Sequence, residues 1–81
     1  METGYILFNL KPGTKKEFIS TIRKVEAVKE ARLVIGFWDA VAKIETKNIE
    51  ELEKIYLNVI DKITYITNSR LHIVACPRTR K

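Results

Sequence analysis

Apolar residues follow two different periods along the chain, one typical of strands and one typical of helices. Four short runs are rich in aliphatic and aromatic residues, and their ends carry turn signals such as glycine and proline. These runs cover residues 4–10, 30–37, 39–45 and 69–76. Gly36 separates the second run from the third and predicts a tight turn there, because glycine tolerates positive φ.

Between these runs, two stretches repeat apolar residues every three to four positions, as a helix with one buried face does. Each stretch begins with a capping box, formed by Thr14 with Glu17 in the first and by Asn48 with Glu51 in the second. The helices should therefore begin directly after Thr14 and Asn48. The predicted buried stripes are Phe18, Ile22 and Val25 in the first helix, and Ile49, Leu52, Ile55, Tyr56, Val59, Ile60 and Ile63 in the second.

The order of elements is β-α-β-β-α-β, which corresponds to two split βαβ units. This order predicts an α+β fold: a ferredoxin-like βαββαβ sandwich, with a four-stranded antiparallel sheet and two helices on one face. The chain has 81 residues, enough for one domain of ordinary size. We expect residues 1–76 to form that domain and residues 77–81 to form a basic C-terminal tail.

Helices cover only one face of the predicted sheet, and the opposite face is not uniformly polar. Tyr5 and Leu7 alternate with the core-facing residues of the first strand, and Val74 and Cys76 do so in the last. An apolar sheet face that the chain does not cover itself usually packs against a partner. We therefore expect a symmetric homodimer that packs sheet against sheet or joins its sheets edge to edge.

Charge limits the classes of partner. The net charge is +5, but residues 1–76 carry 12 basic and 10 acidic side chains, so most of the excess lies in the tail. This balance argues against a nucleic-acid-binding surface that covers the whole domain. The single cysteine, Cys76, indicates a reducing, cytoplasmic location. No apolar run approaches the roughly 20 residues of a membrane span.

Residues suited to catalysis or metal binding are sparse. His72 is the only histidine and Cys76 the only cysteine, so no nucleophile with a positioned base and no metal-ligand spacing is present. The run AVAKI at residues 40–44 contains no aromatic residue, so the base-stacking platform of an RNA-recognition motif is missing. The sequence therefore predicts no catalytic residue, no metal site and no cofactor.

The segment KVEAVKEARLVIGFWDAVAKIE at residues 24–45 resembles the effector-binding module, or RAM domain, of the Lrp/AsnC transcription regulators. In that family one strand ends in a Val-Thr-Gly-x-aromatic-Asp signature, and residues 34–39 occupy those six places. The family's final strand, commonly Thr-x-Thr-x-Ile-Val, corresponds to residues 69–74. The resemblance extends over nearly the whole chain, from Gly4 to Ala75.

This resemblance implies a dimer that often assembles into tetramers or octamers and binds an amino-acid effector between subunits, against the loop after the second strand. Asp39 would bind the effector's ammonium group, and backbone N–H groups around Gly36 would bind its carboxylate. Ile35 and Leu71 replace two threonines of the family pattern, which favours an effector with an apolar side chain. The implied site residues are Leu33, Ile35, Gly36, Phe37, Trp38, Asp39, Ser69 and Leu71.

Full members of the family carry a helix-turn-helix domain before this module, whereas here the first strand begins within a few residues of Met1. We therefore expect a stand-alone, non-enzymatic module that binds neither specific DNA sequences nor membranes and that co-assembles with full-length Lrp/AsnC regulators. Two alternatives stay open. One is an assembly module whose aromatic hairpin is an oligomer contact without a ligand, and the other is a nucleic-acid accessory protein that acts through residues 77–81.

Overall fold

Residues 1–75, which the computed structural model describes, form one antiparallel sheet and two helices. The strand order is β2-β3-β1-β4, and each neighbouring pair is antiparallel. The predicted ferredoxin-like sandwich is therefore confirmed, while Cys76 and the predicted tail lie outside the described residues. The elements are β1 (Glu2–Leu10), α1 (Lys15–Ile22), β2 (Val28–Leu33), β3 (Ala40–Thr46), α2 (Ile49–Lys62) and β4 (Ile66–Ile73).

Several predicted strand boundaries were wrong. β1 begins at Glu2 instead of residue 4, β2 ends at Leu33 instead of residue 37, and β4 is displaced three residues toward the N-terminus. The reason is that pairing across the sheet decides where a strand begins, whereas apolar runs do not. Glu2 pairs with Thr46, and Ile66 pairs with Leu10, although Glu2 and Thr46 belong to no apolar run.

The core lies between the sheet and the helices. The Phe8 ring of β1 and the Phe18 ring of α1 meet with their centroids 4.8 Å apart, inclined by 60°. Fully burying one such aromatic or aliphatic side chain stabilises a fold by roughly 1.5–3 kcal/mol. Val25, predicted on the first helix, instead lies beyond the end of α1 and packs half-buried against the core. The largest fully buried side chains are Phe8, Phe18, Ile6, Ile22, Ile44 and Leu52.

Gly4 sets the distance between β1 and α2. A Cβ atom at this position would lie 3.0 Å from Leu52 Cδ2 and 3.3 Å from Leu71 Cδ1. Leu52 is fully buried, so a larger residue at position 4 would force a core side chain to move. The glycine therefore allows α2 to pack closely over β1 and β4.

One of the two predicted N-terminal caps is present. The Asn48 side chain accepts a hydrogen bond of 2.8 Å from the Glu51 N–H, which caps α2 as predicted. Thr14 makes no such bond, because its hydroxyl donates to the Lys11 carbonyl at 2.7 Å. The turn that precedes α1, with Gly13 at φ +84°, gives Thr14 this nearer acceptor. The first capping prediction was therefore wrong.

Asn48→Ala should lower the free energy of unfolding by about 1 kcal/mol, since it leaves an N–H at the start of α2 without its acceptor. Thr14→Ala serves as the matched control and should cost less, because Thr14 bonds only within an exposed turn. Urea unfolding of both variants measures the difference. An equal or larger loss for Thr14→Ala would contradict this assignment of the caps.

Candidate functional site

Residues 34–39, here called the β2–β3 loop, form a tight hairpin at one end of the sheet. The Val34 N–H donates to the Asp39 carbonyl at 2.9 Å and closes the hairpin. Gly36 adopts φ +142°, a conformation that side chains other than glycine rarely tolerate. The predicted turn at Gly36 is therefore present, with residues 35–38 projecting beyond the last paired residues.

Three hydrogen bonds hold the β2–β3 loop against the end of β1. The Asp39 N–H donates to the Phe8 carbonyl, the Leu10 N–H donates to Asp39 Oδ2, and Asn9 Nδ2 donates to the Phe37 carbonyl, each at 2.8 Å. The first bond continues the β1–β3 ladder, and the other two extend it through side chains. The loop is thus fixed relative to the sheet by contacts that span nearly thirty residues of sequence.

Asp39 has a structural role that does not depend on a ligand. Its Oδ2 atom satisfies the part-buried Leu10 N–H, which has no ladder partner on β3 at that level. Within residues 1–75 no hydrogen bond is seen to Oδ1, so this oxygen is the one left for the ammonium group that the sequence analysis assigned to Asp39. The carboxylate can therefore hold the loop and accept one more donor at the same time.

Phe37 and Trp38 stack edge to face, with ring centroids 5.2 Å apart and an interplanar angle of 84°. Trp38 is half-buried, whereas Phe37 is 79% exposed and Ile35 is fully exposed. Leu33, the last residue of β2, is also exposed. These side chains do not close a cavity within one subunit. They form an apolar protrusion at the end of the sheet.

Ser69 and Leu71 are not brought to the β2–β3 loop within one subunit. Ser69 pairs with Phe8 and Leu71 with Ile6, so both lie on the helix side of the sheet. Ser69 Oγ hydrogen-bonds the Tyr56 hydroxyl at 2.9 Å, and Leu71 packs against the core. β1 lies between β4 and β3, which places these residues about 10 Å from the strand that follows the loop.

Asn9 is a positioning residue that the sequence analysis did not identify. In the sequence, Asn9 is a polar residue near the end of an otherwise apolar run. This exception is the feature from which its role could have been predicted. Its amide reaches the Phe37 carbonyl, 28 residues further along the chain. It therefore holds the backbone of the loop at Phe37, its most exposed aromatic residue.

The outer face of the sheet, opposite the helices, has an apolar centre and a charged margin. Tyr5, Leu7 and Val41 lie at the centre, with Leu7 paired directly to Val41. At the margin Arg32 Nε donates to Glu30 at 2.5 Å, and this bond with the adjacent charge lowers the pKa of the Glu30 carboxyl. Lys43, Glu45, Arg70 and His72 complete the margin by their register with β1.

Within residues 1–75 no group of three His, Cys, Asp or Glu side chains lies close enough together to hold a metal ion. His72 is exposed on the outer face opposite Tyr5. Neither α1 nor α2 is long and apolar enough to cross a membrane.

Similarity to known proteins connects this geometry to a family. The family model for the Lrp/AsnC ligand binding domain matches residues 3–77. The chain belongs to this family. The resemblance inferred from the hairpin signature is thereby confirmed, and the chain is a regulatory ligand-binding domain of the Lrp/AsnC type.

Curated relatives of this Lrp/AsnC domain are larger transcription regulators. The HTH-type transcriptional regulator FL11 of Pyrococcus abyssi is 37% identical over 71 residues, which are 88% of this chain and 46% of the relative. FL11 of Pyrococcus horikoshii is 34% identical over the same shares of the two chains. The chain therefore spans slightly less than half the length of these relatives.

Solved structures share the fold, both chains of similar length and a longer one. FFRP-DM1 superposes with a TM-score of 0.86 at 28% identity, covering 91% of this chain and 99% of that one. The hypothetical protein PHS023 from Pyrococcus horikoshii gives the same TM-score and identity, covering 91% and 89%. AsnC of Escherichia coli, at 20% identity and a TM-score of 0.85, matches in fold over 99% of this chain and 54% of its own.

Asp39→Ala should reduce the free energy of unfolding by about 1–3 kcal/mol, because it leaves the part-buried Leu10 N–H without an acceptor. Asp39→Asn keeps an oxygen in the same place and should cost clearly less. Denaturant unfolding compares the two variants, and amide hydrogen exchange at Leu10 reports the bond directly. Equal stability of the alanine and asparagine variants would show that the bond does not hold the loop.

Proposed function

We propose that this protein is a non-enzymatic effector-binding and oligomerisation module that binds an amino acid or a related small metabolite between subunits. The observation that carries the proposal is the β2–β3 loop of a ligand-binding family, fixed to β1 and presenting the free Oδ1 atom of Asp39 beside exposed apolar side chains. By the same family relation we propose that the module acts on full-length Lrp/AsnC regulators by co-assembling with them.

The chemistry of the loop fits a zwitterion with an apolar side chain. Asp39 Oδ1 can accept a bond from an ammonium group, and the N–H groups of Gly36 and Phe37, which make no hydrogen bond within residues 1–75, can donate to a carboxylate. Ile35 and Phe37 offer apolar contact to the side chain. The backbone N–H donors and the fixed carboxylate select for a zwitterion. The apolar side chains of Ile35 and Phe37 select among amino acids.

A second subunit completes this site. Ile35 and Phe37 are exposed at the tip of the β2–β3 loop, so a ligand bound to one subunit alone would remain open to water. Leu33 and Ile35 would become buried only against another surface. Ser69 and Leu71, which the family resemblance assigns to the site, would join it only through a neighbouring copy.

A thermal-unfolding screen against the twenty amino acids at millimolar concentration tests the effector proposal. A ligand at 100 times its dissociation constant adds about 2.7 kcal/mol of stability. We expect a rise in melting temperature with apolar amino acids, and we expect Asp39→Asn to abolish it while the fold is retained. Asp61→Asn removes an equivalent charge from the exposed surface of α2 and is the matched control.

A flat response to all amino acids would contradict the effector proposal. Loss of the response in Asp61→Asn as well as in Asp39→Asn would show that net charge, and not the loop carboxylate, governs binding. In the first case the assembly module becomes the better account, because the exposed Ile35 and Phe37 side chains also suit a contact between subunits without ligand.

We further propose that two copies pack through the outer face of the sheet. Tyr5, Leu7 and Val41 form its apolar centre, and the surrounding charges of both signs can pair across a two-fold axis. Leu7→Glu places a charge at the centre and should shift sedimentation equilibrium at micromolar concentration toward half the mass. A wild-type chain that sediments as a monomer would overturn this proposal.

A further inference from the structure

A groove runs between the two helices, on the side of the sheet opposite the outer face. It follows the second half of α2 and is bordered on its other side by the end of α1 and the residues just after it. Its volume of about 350 Å³ falls within the roughly 300–1,000 Å³ of small-molecule sites. Its floor consists of Val25, Ile55, Val59 and Ile63, and this surface is called the helix groove.

The floor is apolar because one stripe of α2 faces it. Ile55 and Val59 are four residues apart, so they lie on the same side of the helix, and Ile63 follows at its C-terminal cap. Val59 and Ile63 are buried, whereas Ile55 and Val25 are half-buried. An apolar group that lay on this floor would therefore cover surface that is now partly in water.

Among the described residues, the rim of the helix groove carries two cationic side chains and no carboxylate. Lys24 borders it from the α1 side and Lys62 from the last turn of α2. The ion pairs seen within residues 1–75 lie on β2 and β3, and neither involves a rim lysine. Thr21 and Asn58 complete the rim with a hydroxyl and an amide, which can donate hydrogen bonds.

The carboxylates nearest to the rim in sequence lie against other grooves. Asp61, adjacent to Lys62, lines the groove on the β4 side of α2, and Glu26, adjacent to Val25, lines one beside β3. The excess of positive charge is therefore local to the helix groove, in a domain whose charges are otherwise nearly balanced. A rim of this kind complements an anion.

We propose that the helix groove binds a small carboxylic acid with an apolar body, such as a medium-chain aliphatic acid. The ammonium groups of Lys24 and Lys62 hold its carboxylate, and the chain lies on the apolar floor. The floor extends over eight residues of α2, about 12 Å along the helix. A protein partner typically needs about 800 Å² on each side, so the size of the groove favours a small molecule.

The charge of the rim separates this ligand from the effector proposed for the β2–β3 loop. An amino acid carries an ammonium group as well as a carboxylate, and the two lysines repel it. The helix groove therefore selects acids without an amino group, whereas the loop is proposed to bind a zwitterion through Asp39. The inference goes beyond the proposed function and does not rest on it. A dimer through the outer face would leave the helix groove open.

An NMR titration of the isotope-labelled protein with sodium octanoate tests the site. We expect saturable shift changes at the amides of Val59 and Ile63, with little change at residues 34–39. Hexanoate should bind more weakly, by about fourfold for each methylene that it lacks. The matched ligand is 2-aminooctanoate, which has the same chain and carboxylate with an added ammonium group. It should bind the helix groove roughly tenfold more weakly or worse.

The double variant Lys24→Gln/Lys62→Gln removes both rim charges and should weaken octanoate binding by roughly tenfold or more, because a charge-assisted hydrogen bond is lost. Lys16→Gln/Lys54→Gln is the matched control. It also removes one lysine near each helix, but neither of these residues lines the helix groove. The control should keep the wild-type affinity. All four lysines are exposed, so both variants should fold.

Several results would overturn the inference. Octanoate at millimolar concentration that leaves Val59 and Ile63 unshifted, or that shifts residues 34–39 instead, would show that the helix groove is not its site. Equal binding of 2-aminooctanoate, or an equal loss in the control variant, would show that the rim lysines do not select the ligand. An acidic amphipathic peptide that shifts these amides where octanoate does not would assign the groove to a protein partner.

The effector proposal is tested separately. The thermal screen uses amino acids and the Asp39→Asn variant, and the octanoate titration uses neither. Failure of the octanoate titration would therefore leave the β2–β3 loop as the proposed effector site, and a flat thermal screen would leave the helix groove untouched.

Discussion

Packing of both helices on a single face of the sheet is the constraint on which the remaining features depend. The Phe8–Phe18 contact joins α1 to β1, and the close approach at Gly4 brings α2 down over β1 and β4. These contacts create the core, but they use only one side of the sheet. The outer face and the β2–β3 loop are left without cover from the described chain, and each bears exposed apolar side chains.

The β2–β3 loop shows how one side chain can connect stability with binding. Asp39 closes the end of β1 through Oδ2, which fixes the orientation in which Oδ1 is presented. A ligand group that reaches a carboxylate already held in place does not have to order it, so less binding free energy is lost on association. The exposed rings and aliphatic side chains beside it contribute to binding only when another surface covers them and removes them from water.

The small size of the chain is the physical reason for the proposed association between copies. A chain of 81 residues buries a smaller share of its surface than a larger domain, so its own core provides a modest margin of stability. Any contact that only the folded chain can make adds to that margin by mass action. An effector held between subunits would therefore stabilise the fold and the assembly together, which gives a regulatory domain a direct way to convert ligand concentration into assembly.

The sequence by itself determined the secondary structure order, the core-facing residues of β1 and the cap of α2, because each is encoded in residues close together along the chain. The signature at residues 34–39 likewise identified the family from a local pattern. Tertiary structure decided where strands end, that the Thr14 hydroxyl turns to the preceding turn, and that Asp39 is already bonded to Leu10. It also placed Ser69 and Leu71 on the helix side and made Asn9 an anchor of the loop. Apart from the local Thr14 bond, these outcomes depend on partners across the sheet, which lie 28 and 29 residues away in the sequence for Asn9 and Asp39. Periodicity carries no information about which partner a backbone group will meet.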